Sequence, residues 1–393
     1  MYKQIFLKRG KEESLKRFHP WIFSGAIHHM DEGIEEGETV RVITAAGEFI
    51  AVGHYQIGSI AVRVLSFEDI EINTDFWCER LQSALDVRIG VGIADSPTNN
   101  TYRLVHGEGD YLPGLVIDCY GSTAVMQAHS VGMHVCRNEI CQALVQVMGD
   151  RIANVYYKSE TTLPYKADLH QENGFLVGGD ASNVAMENGL KFHIDWLRGQ
   201  KTGFFVDQRE NRSLLEHYAK GKSVLNMFCY TGGFSVYAMR GDAKQVHSVD
   251  SSAKAIELTN DNVALNFPGD ARHEAFCEDA FKYLDEHDQQ YDLIVLDPPA
   301  FAKHRAALRN ALKGYTRLNV KGLQRIKKGG ILFTFSCSQV VTKDNFRNAV
   351  FTAAAQAGRK VRILHQLHQP ADHPINIYHP EGEYLKGLVL YVE

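Results

Sequence analysis

Hydrophobic and polar positions alternate in the first part of the chain. The runs ETVRVI and SIAVRVLS follow this alternation, and Gly47 lies at a turn between apolar runs in AAGEFIAVGHY. A period of two residues is typical of β-strands that bury one face. The pattern predicts a small β-barrel that ends near Ser66.

The next part of the chain mixes helical and strand patterns. Apolar residues recur at helical spacing in FWCERLQSALDVRIGV and again between Cys136 and Met148. The segment YLPGLVIDCYGSTAVMQAHS predicts a hairpin, and ANVYYKS predicts a further strand. Together these patterns predict an α+β unit.

After Gly189, short apolar runs are separated by stretches of helical length. The runs are SVLNMF, QVHSVD, ARHEAFCED, YDLIVLD, GGILFTFS and KVRILHQ. This alternation is typical of a parallel sheet with helices on both faces. The predicted fold is therefore α/β, with a β-barrel domain at 1–72, an α+β middle domain at 73–187 and a doubly wound domain at 188–393.

Composition excludes several classes of protein. The seven cysteines include no C-x-x-C pair, so neither a disulfide framework nor a zinc site is expected. The sequence contains no signal-peptide core and no apolar run long enough to span a membrane. We expect a cytoplasmic protein with no membrane partner and no metal.

Charge is unevenly distributed along the chain. A net charge of −5 argues mildly against a nucleic-acid partner, but residues 298–343 contain no Asp or Glu and ten Lys or Arg. Lys303, Arg305 and Arg309 begin this basic run, and Lys8 and Arg9 belong to a weaker basic cluster. Either the basic run binds nucleic acid, or it is the solvated face of helices.

The ends of the first three predicted C-terminal strands indicate a nucleoside-containing cofactor. Gly232 and Gly233 follow the first strand, and Asp250 follows the second, at the spacing of a carboxylate that binds ribose hydroxyls. The loop lacks both the dinucleotide fingerprint and the P-loop motif, which favours S-adenosylmethionine. Asp279, after the third strand, either accepts from adenine beside Ala280 or caps a helix.

The ends of the next two strands carry the candidate chemistry. Asp297 is held extended by Pro298, and Cys337 lies between two serines at the end of FTFSCSQ. Neighbouring strands would place the two side chains together, and basic surroundings favour a nucleophilic thiolate. Thiolate addition to C6 of cytosine activates C5 for methylation, with a carboxyl group bound at N3 and N4. The alternative is a buried structural cysteine.

The ordered set HPWIFSGAI, KTGFFVDQRENR, NMFCYTGGFSVYA, LDPPAFAK, FTFSCS and DHPINIYHPEGEYLKG resembles one family. It is that of bacterial large-subunit ribosomal RNA cytosine-C5 methyltransferases, which join an N-terminal PUA domain to a Rossmann-like class I methyltransferase domain. The resemblance implies S-adenosylmethionine as cofactor, 23S rRNA as partner, Cys337 as nucleophile and Asp297 as the base-binding residue.

The resemblance also implies a set of binding residues. The implied cofactor site comprises Gln208 and Arg209 at the methionine end, with Asn226, Phe228, Tyr230, Thr231, Gly232, Gly233, Asp250, Ser251, Asp279, Ala280 and Asp297. The implied RNA-binding residues are Lys8, Arg9, Lys303, Arg305 and Arg309.

One departure from the wider group of 5-methylcytosine enzymes concerns proton removal. Many of those enzymes carry a second cysteine after the proline of the fourth-strand motif, whereas this chain reads DPPAF. The base that removes the C5 proton is therefore unassigned, and the candidates in the tail are Asp372, His373, His379, Glu381 and Glu383.

Two other functions stay open at this point. One is methylation of a guanine nitrogen in ribosomal RNA, which needs no thiol. The other is an RNA-binding assembly factor that has kept an inactive methyltransferase fold. A homodimer is also left open by the sequence.

Overall fold

A computed structural model describes residues 2–164, 169, 172–179 and 182–393 of the chain. Its internal contacts divide the protein into two compact units. The first unit comprises Met1–Asn188, Ile194–Val206 and Ala371–Gly382, and the second comprises Gly189–His193, Asp207–Pro370 and Glu383–Glu393. The division into three domains predicted from the sequence stays a prediction.

The first six strands of the first unit form one sheet, in the order β2-β6-β5-β4-β1-β3. They are β1 (Lys3–Leu7), β2 (Trp21–Phe23), β3 (Ile27–Met30), β4 (Thr39–Ile43), β5 (Phe49–Tyr55) and β6 (Ile60–Ser66). The alternation seen in the sequence buries Ile5, Val40, Val42 and Val62 in a shared core. The predicted strand-rich N-terminal segment is confirmed.

A second sheet in the same unit has the order β11-β10-β9-β8-β7. Its strands are β7 (Thr101–His106), β8 (Leu115–Tyr120), β9 (Thr123–Ala128), β10 (Asn154–Tyr157) and β11 (Gly174–Val177). The unit also contains α1 (Thr74–Gly90), α2 (Val131–Val135), α3 (Arg137–Met148) and, outside this sheet, β12 (Val184–Glu187). Asn73 caps α1 by accepting a hydrogen bond from the backbone N–H of Phe76. The predicted hairpin appears as the antiparallel pair β8 and β9.

The second unit is built around a seven-stranded sheet of order β16-β15-β14-β17-β18-β20-β19. The strands of this sheet are β14 (Ser223–Met227), β15 (Gln245–Asp250), β16 (His273–Cys277), β17 (Tyr291–Leu296), β18 (Ile326–Ser336), β19 (Val361–Leu367) and β20 (Lys386–Val392), and β13 (Leu190–His193) precedes them outside the sheet. Its helices are α4 (Arg209–Ala219), α5 (Gly233–Arg240), α6 (Ala253–Asn266), α7 (Ala280–Glu286), α8 (Leu308–Arg325) and α9 (Lys343–Gln356).

Strands β14 to β18 run parallel to one another, and β20 runs antiparallel to both of its neighbours. Strand and helix alternate along the chain, as in parallel sheets that carry helices on both faces. The predicted doubly wound α/β fold is confirmed. β20, the strand that inserts between β18 and β19, was not predicted from the sequence.

Within the described residues, no helix combines the length and the apolar composition that a membrane crossing requires.

Candidate active site

The carboxyl ends of the parallel strands meet at one edge of the sheet. Met227 pairs with Leu296, and Leu296 pairs with Thr334, so β14, β17 and β18 end within a few residues of each other in register. Ligands of open α/β sheets bind at this edge. The loops that follow these strands therefore form the candidate site.

The loop between β14 and α5 has an unusual backbone. Phe228 and Tyr230 have φ values of 59° and 50°, and Gly232 has a φ of 75°. A Cβ on Gly232 would lie 2.7 Å from Cγ2 of Thr259, which explains why glycine is required there. Non-glycine residues in this region of φ cost free energy and cluster at ligand sites.

Side chains of α6 hold this loop in place. The Thr259 hydroxyl donates to the carbonyl oxygen of Tyr230 over 2.9 Å, and Asn262 Nδ2 donates to that of Thr231 over 2.8 Å. The two bonds fix two carbonyl oxygens of the loop just before the start of α5.

Asp250 ties the end of β15 to the same loop. One carboxylate oxygen accepts from the Tyr230 N–H over 3.1 Å, and the other accepts from the Ser252 N–H over 2.9 Å. A carboxylate oxygen accepts more than one hydrogen bond, so acceptor capacity is left for ribose hydroxyls. Ser251 is exposed beside it.

Asn226 supplies a buried acceptor that fits a cofactor. Its Nδ2 donates to Ser235 Oγ over 2.9 Å, whereas its Oδ1 is buried and has no hydrogen-bond partner among the described residues. Buried polar atoms normally find partners, and the amino or hydroxyl groups of S-adenosylmethionine are suitable donors. The residues present therefore fit this cofactor.

Asp279 has the contacts of a helix cap. Its Oδ1 accepts from the backbone N–H groups of Phe281 and Lys282, each over 3.0 Å, at the start of α7. The capping alternative considered for Asp279 is thus observed, and its predicted contact with adenine stays a prediction. Ala280 is buried immediately after it.

Gln208 contacts the candidate catalytic carboxylate. Its Nε2 donates to Asp297 Oδ2 over 3.1 Å, and its own Oε1 accepts from Asn211 Nδ2 over 2.6 Å. Gln208 is buried, so its amide is held in one orientation by these two bonds. Arg209 is also buried, and its Nε lies 3.4 Å from Glu210 Oε1. The contact between Gln208 and Asp297 was not anticipated from the sequence.

Cys337 and Asp297 follow neighbouring strands, β18 and β17. Cys337 Sγ lies 4.0 Å from the carbonyl oxygen of Pro298, the residue directly after Asp297. Cys337 is partly exposed, whereas the cysteines of the core are buried. The expectation that the fifth strand ends beside the fourth is confirmed.

The two serines around Cys337 anchor it to α8 and to the loop after β17. Ser336 Oγ donates to the Tyr315 hydroxyl over 2.9 Å, Ser338 Oγ lies 3.2 Å from that hydroxyl, and Ser338 Oγ accepts from the Ala302 N–H over 3.2 Å. Burial raises the pKa of Tyr315, so this hydroxyl keeps its proton. The serines therefore fix the backbone on both sides of the thiol.

Lys386 is the residue near Cys337 that sequence reasoning missed. It pairs with Ser336 across β18 and β20, and its Nζ donates to the Ser338 carbonyl oxygen over 2.6 Å. It is 5% exposed. Lys386 is the lysine of the tail segment GEYLKG, but nothing in that segment indicated that it forms a strand paired with β18.

The basic run divides into two groups. Lys303, Arg305 and Arg309 are exposed. Farther along, Arg317 stacks on Phe281 with 4.1 Å from Cζ to the ring centroid, and Lys321 pairs with Asp285. Among the described residues, Lys303, Arg305 and Arg309 have no carboxylate partner. Arg317 and Lys321 instead contact other side chains of the protein.

A groove of about 670 Å³ runs between α8 and α9 next to this basic run. Its lining includes Arg309, Lys313, Arg317, Asn345, Asn348 and Thr352. Cationic and amide side chains together suit a phosphate backbone. In the first unit, Lys8 and Arg9 are exposed, and Lys8 Nζ donates to the Gly25 carbonyl oxygen over 3.0 Å.

Most of the tail residues considered as proton acceptors belong to the first unit. Asp372 is fully buried there, where its Oδ2 accepts from the Arg103 N–H over 3.0 Å and its carbonyl oxygen accepts from Arg88 over 2.7 Å. His373 Nδ1 lies 3.0 Å from Asp372 Oδ1. These contacts give Asp372 and His373 a structural role. Glu383, in the second unit, pairs with Lys343.

Comparison with known proteins agrees with this geometry. Residues 170–378 match the family described as S-adenosylmethionine-dependent methyltransferase, and residues 5–67 match the PUA-like domain. A solved methyltransferase complexed with SAH is 25% identical to this chain, with a TM-score of 0.85 over 99% of both chains.

Two full-length relatives are named Ribosomal RNA large subunit methyltransferase I. The protein from Alteromonas mediterranea is 40% identical over 398 residues, which is 100% of this chain and 99% of the relative. The protein from Tolumonas auensis is 40% identical over 399 residues, 99% of each chain. The predicted resemblance, fold and cofactor are confirmed by these matches. The chain belongs to the ribosomal RNA large subunit methyltransferase I family, and it is an S-adenosylmethionine-dependent methyltransferase with a PUA-like N-terminal domain.

Proposed function

We propose that this enzyme methylates C5 of a cytosine in 23S rRNA through a covalent bond between Cys337 Sγ and C6 of the base. The observation that supports the proposal most strongly is the distance of 4.0 Å between Cys337 Sγ and the Pro298 carbonyl oxygen. This distance puts Cys337 beside the residue that follows Asp297, at the edge of the sheet where the parallel strands end. Methylation of a nitrogen would need no thiol there.

The reaction begins at the sulfur. The thiolate forms a bond to C6 of cytosine, and the electron pair of the C5–C6 double bond moves toward C5. The Asp297 carboxyl group hydrogen-bonds N3 and N4 and stabilises the charge that develops on the ring. Gln208 holds Asp297 in one orientation through its 3.1 Å hydrogen bond.

Methyl transfer and release complete the cycle. When bound, S-adenosylmethionine would supply an electrophilic methyl group to C5, and its sulfur would keep the electron pair of the carbon–sulfur bond that breaks. A base then removes the C5 proton, the double bond re-forms, and the bond between Sγ and C6 breaks. The residues proposed to hold the cofactor are Gln208, Arg209, Asn226, Phe228, Tyr230, Thr231, Gly232, Gly233, Asp250, Ser251, Asp279, Ala280 and Asp297.

The proposed RNA contacts come from the PUA-like domain and from the basic run that begins at Lys303. The PUA-like domain contributes Lys8 and Arg9, and the exposed part of the basic run contributes Lys303, Arg305 and Arg309. Such contacts bind the phosphate backbone, while the target base is turned out of its helix toward Asp297 and Cys337. We also propose three domains, at 1–72, 73–187 and 188–393, from the change of sequence pattern along the chain and from the PUA-like match at residues 5–67.

The test is product identification with two matched cysteine variants. Unmethylated 23S rRNA is incubated with the wild-type enzyme, Cys337→Ala or Cys277→Ala, and the nucleosides are identified by mass spectrometry. Cys277 is exposed and serves as the control. We expect 5-methylcytidine from the wild type and from Cys277→Ala, and a loss of more than about 1000-fold with Cys337→Ala. A methylated guanosine, or unchanged turnover in Cys337→Ala, would reject the proposal.

A further inference from the structure

Lys386 lies against the backbone on both sides of Cys337. It is the first residue of β20 and pairs with Ser336, the residue before Cys337. Its Nζ donates to the carbonyl oxygen of Ser338, the residue after Cys337, over 2.6 Å. The ammonium group is therefore held at the segment that carries the thiol.

Burial makes this position costly for a lysine. The residue is 5% exposed, and an ammonium group has three N–H donors. Within the described part of the chain, the Ser338 carbonyl oxygen is the only hydrogen-bond acceptor for Nζ. Two donors therefore remain, and a charged amine in this environment calls for a nearby anion.

Two groups with negative forms act on Lys386, and one of them is already paired. Burial lowers the pKa of Lys386 to about 8, while Cys337 and Glu383 act in the opposite direction and Lys343 adds to the lowering. Glu383 Oε1 lies 2.5 Å from Lys343 Nζ, so its charge is largely neutralised by that contact. Cys337, the residue before Ser338, is then the group whose negative form the Lys386 charge favours.

We propose that the positive charge of the Lys386 ammonium group keeps Cys337 in its thiolate form. The S–H bond breaks, the proton passes to solvent and the sulfur keeps its electron pair, while Lys386 stays protonated. Lys386 acts through Cys337 and is a positioning residue. The inference deepens the proposed function, on which it rests for the use of the thiolate at C6.

With a pKa of about 8, Lys386 stays mostly protonated near pH 7 and holds its positive charge at the Cys337 segment. A nearby positive charge favours the thiolate form of a cysteine. The other titratable groups around the pair are Glu383, Lys343, Asp297 beside Pro298, and Tyr315, whose raised pKa keeps it neutral.

The experiment measures the thiolate fraction of Cys337 without RNA. Full-length enzyme carrying Cys277→Ser is treated with iodoacetamide from about pH 5.5 to 9.5, and alkylation of the Cys337 peptide is quantified by mass spectrometry. The variants are Lys386→Gln, which keeps a donor for Ser338, Lys386→Met, which keeps neither donor nor charge, and Lys386→Arg, which keeps the charge. Lys328→Met, at an exposed position of β18, is the surface control.

With Lys386 present, we expect the pH midpoint of Cys337 alkylation to lie below the pKa of an ordinary cysteine thiol. It should rise by at least one pH unit in Lys386→Gln and Lys386→Met, with about tenfold slower alkylation near pH 7, and stay low in Lys386→Arg and Lys328→Met. Because Lys386→Gln keeps the hydrogen bond to Ser338, it remains informative if Lys386→Met folds poorly.

An unchanged midpoint in Lys386→Gln would overturn the inference, even if methylation depends on Cys337. A shifted midpoint in an enzyme that forms no 5-methylcytidine would support the ion pair and reject the proposed function instead. The two proposals therefore fail in different measurements.

Discussion

Gln208 Nε2 donates a hydrogen bond of 3.1 Å to Oδ2 of Asp297, and Asn211 fixes the same amide from its other side. The candidate base-binding carboxylate is thus oriented by a buried residue from the start of α4. A carboxyl group that must contact two atoms of a planar base benefits from such support, because small misplacements reduce the rate of the chemical step.

Replacing Gln208 with Leu should lower kcat about ten- to hundredfold, since the lost bond has a charged acceptor. The affinity for S-adenosylmethionine should also fall, because Gln208 is among the residues proposed to hold the cofactor. Steady-state kinetics and calorimetry measure the two effects, and Gln324→Leu, at an exposed position of α8, is the matched control. An unchanged kcat would show that Gln208 does not orient Asp297 for the chemical step.

Gly232→Ala tests the cofactor loop. The substitution adds a Cβ 2.7 Å from Thr259 Cγ2 at a φ of 75°, and should weaken cofactor binding and destabilise the fold by about 1–3 kcal/mol. Gly269→Ala is a close control, since Gly269 has a φ of 74° with nothing within 4 Å of its added Cβ. Equal losses of unfolding free energy and equal cofactor affinity in the two variants would show that close packing at Gly232 has no role.

The exposed part of the basic run should set the salt dependence of RNA binding. In Arg305→Gln/Arg309→Gln, the slope of log K against log salt concentration should fall by roughly 1.4–1.8, about 0.7–0.9 for each lost phosphate contact. Binding to 23S rRNA fragments at several salt concentrations measures it. Lys321→Gln removes a cation already paired with Asp285 and should leave the slope unchanged. Equal slopes in all three proteins would contradict the proposed contact.

Burial of Lys386 should make stability depend on pH. Its pKa is about 8 in the folded state, below its ordinary value of 10.5, so the unfolded state binds more protons between these values. The folded state is therefore disfavoured below about pH 8 and gains stability as the pH rises toward 10.5, by about 3 kcal/mol at most.

Denaturant unfolding of the wild type and Lys386→Met across this pH range measures that effect. The difference in unfolding free energy between the two proteins should change in favour of the wild type as the pH rises. Lys328→Met controls for the loss of one surface charge. A difference that stays constant with pH would show that Lys386 is not destabilised by burial.

Much of the second unit could be predicted because its strands are short apolar runs and its sheet is largely parallel. That rule alone places Asp297 and Cys337 at one edge, since both follow strands that end in register. It also places Gly232 and Asp250 there. The identity of the cofactor followed from glycine spacing and from the motifs that the loop lacks.

Other features depended on contacts that no local pattern encodes. Lys386 was missed because β20 is antiparallel and reaches β18 from the far end of the chain. Ser336 and Ser338 are buried and bind Tyr315, a contact that the pattern around Cys337 did not indicate. Asp279 has one set of observed contacts, those of a helix cap, because a carboxylate before a helix first satisfies the free N–H groups of its own backbone.

The most direct measurement of the central claim uses RNA that contains 5-fluorocytidine. Fluorine at C5 prevents the proton removal that releases the enzyme, so a bond between Sγ and C6 should persist. In the presence of S-adenosylmethionine, the wild-type enzyme should form a denaturation-resistant complex with 23S rRNA fragments, and peptide mass spectrometry should locate the link at Cys337. Absence of this complex in an enzyme that methylates ordinary RNA, or a link at another residue, would contradict the account.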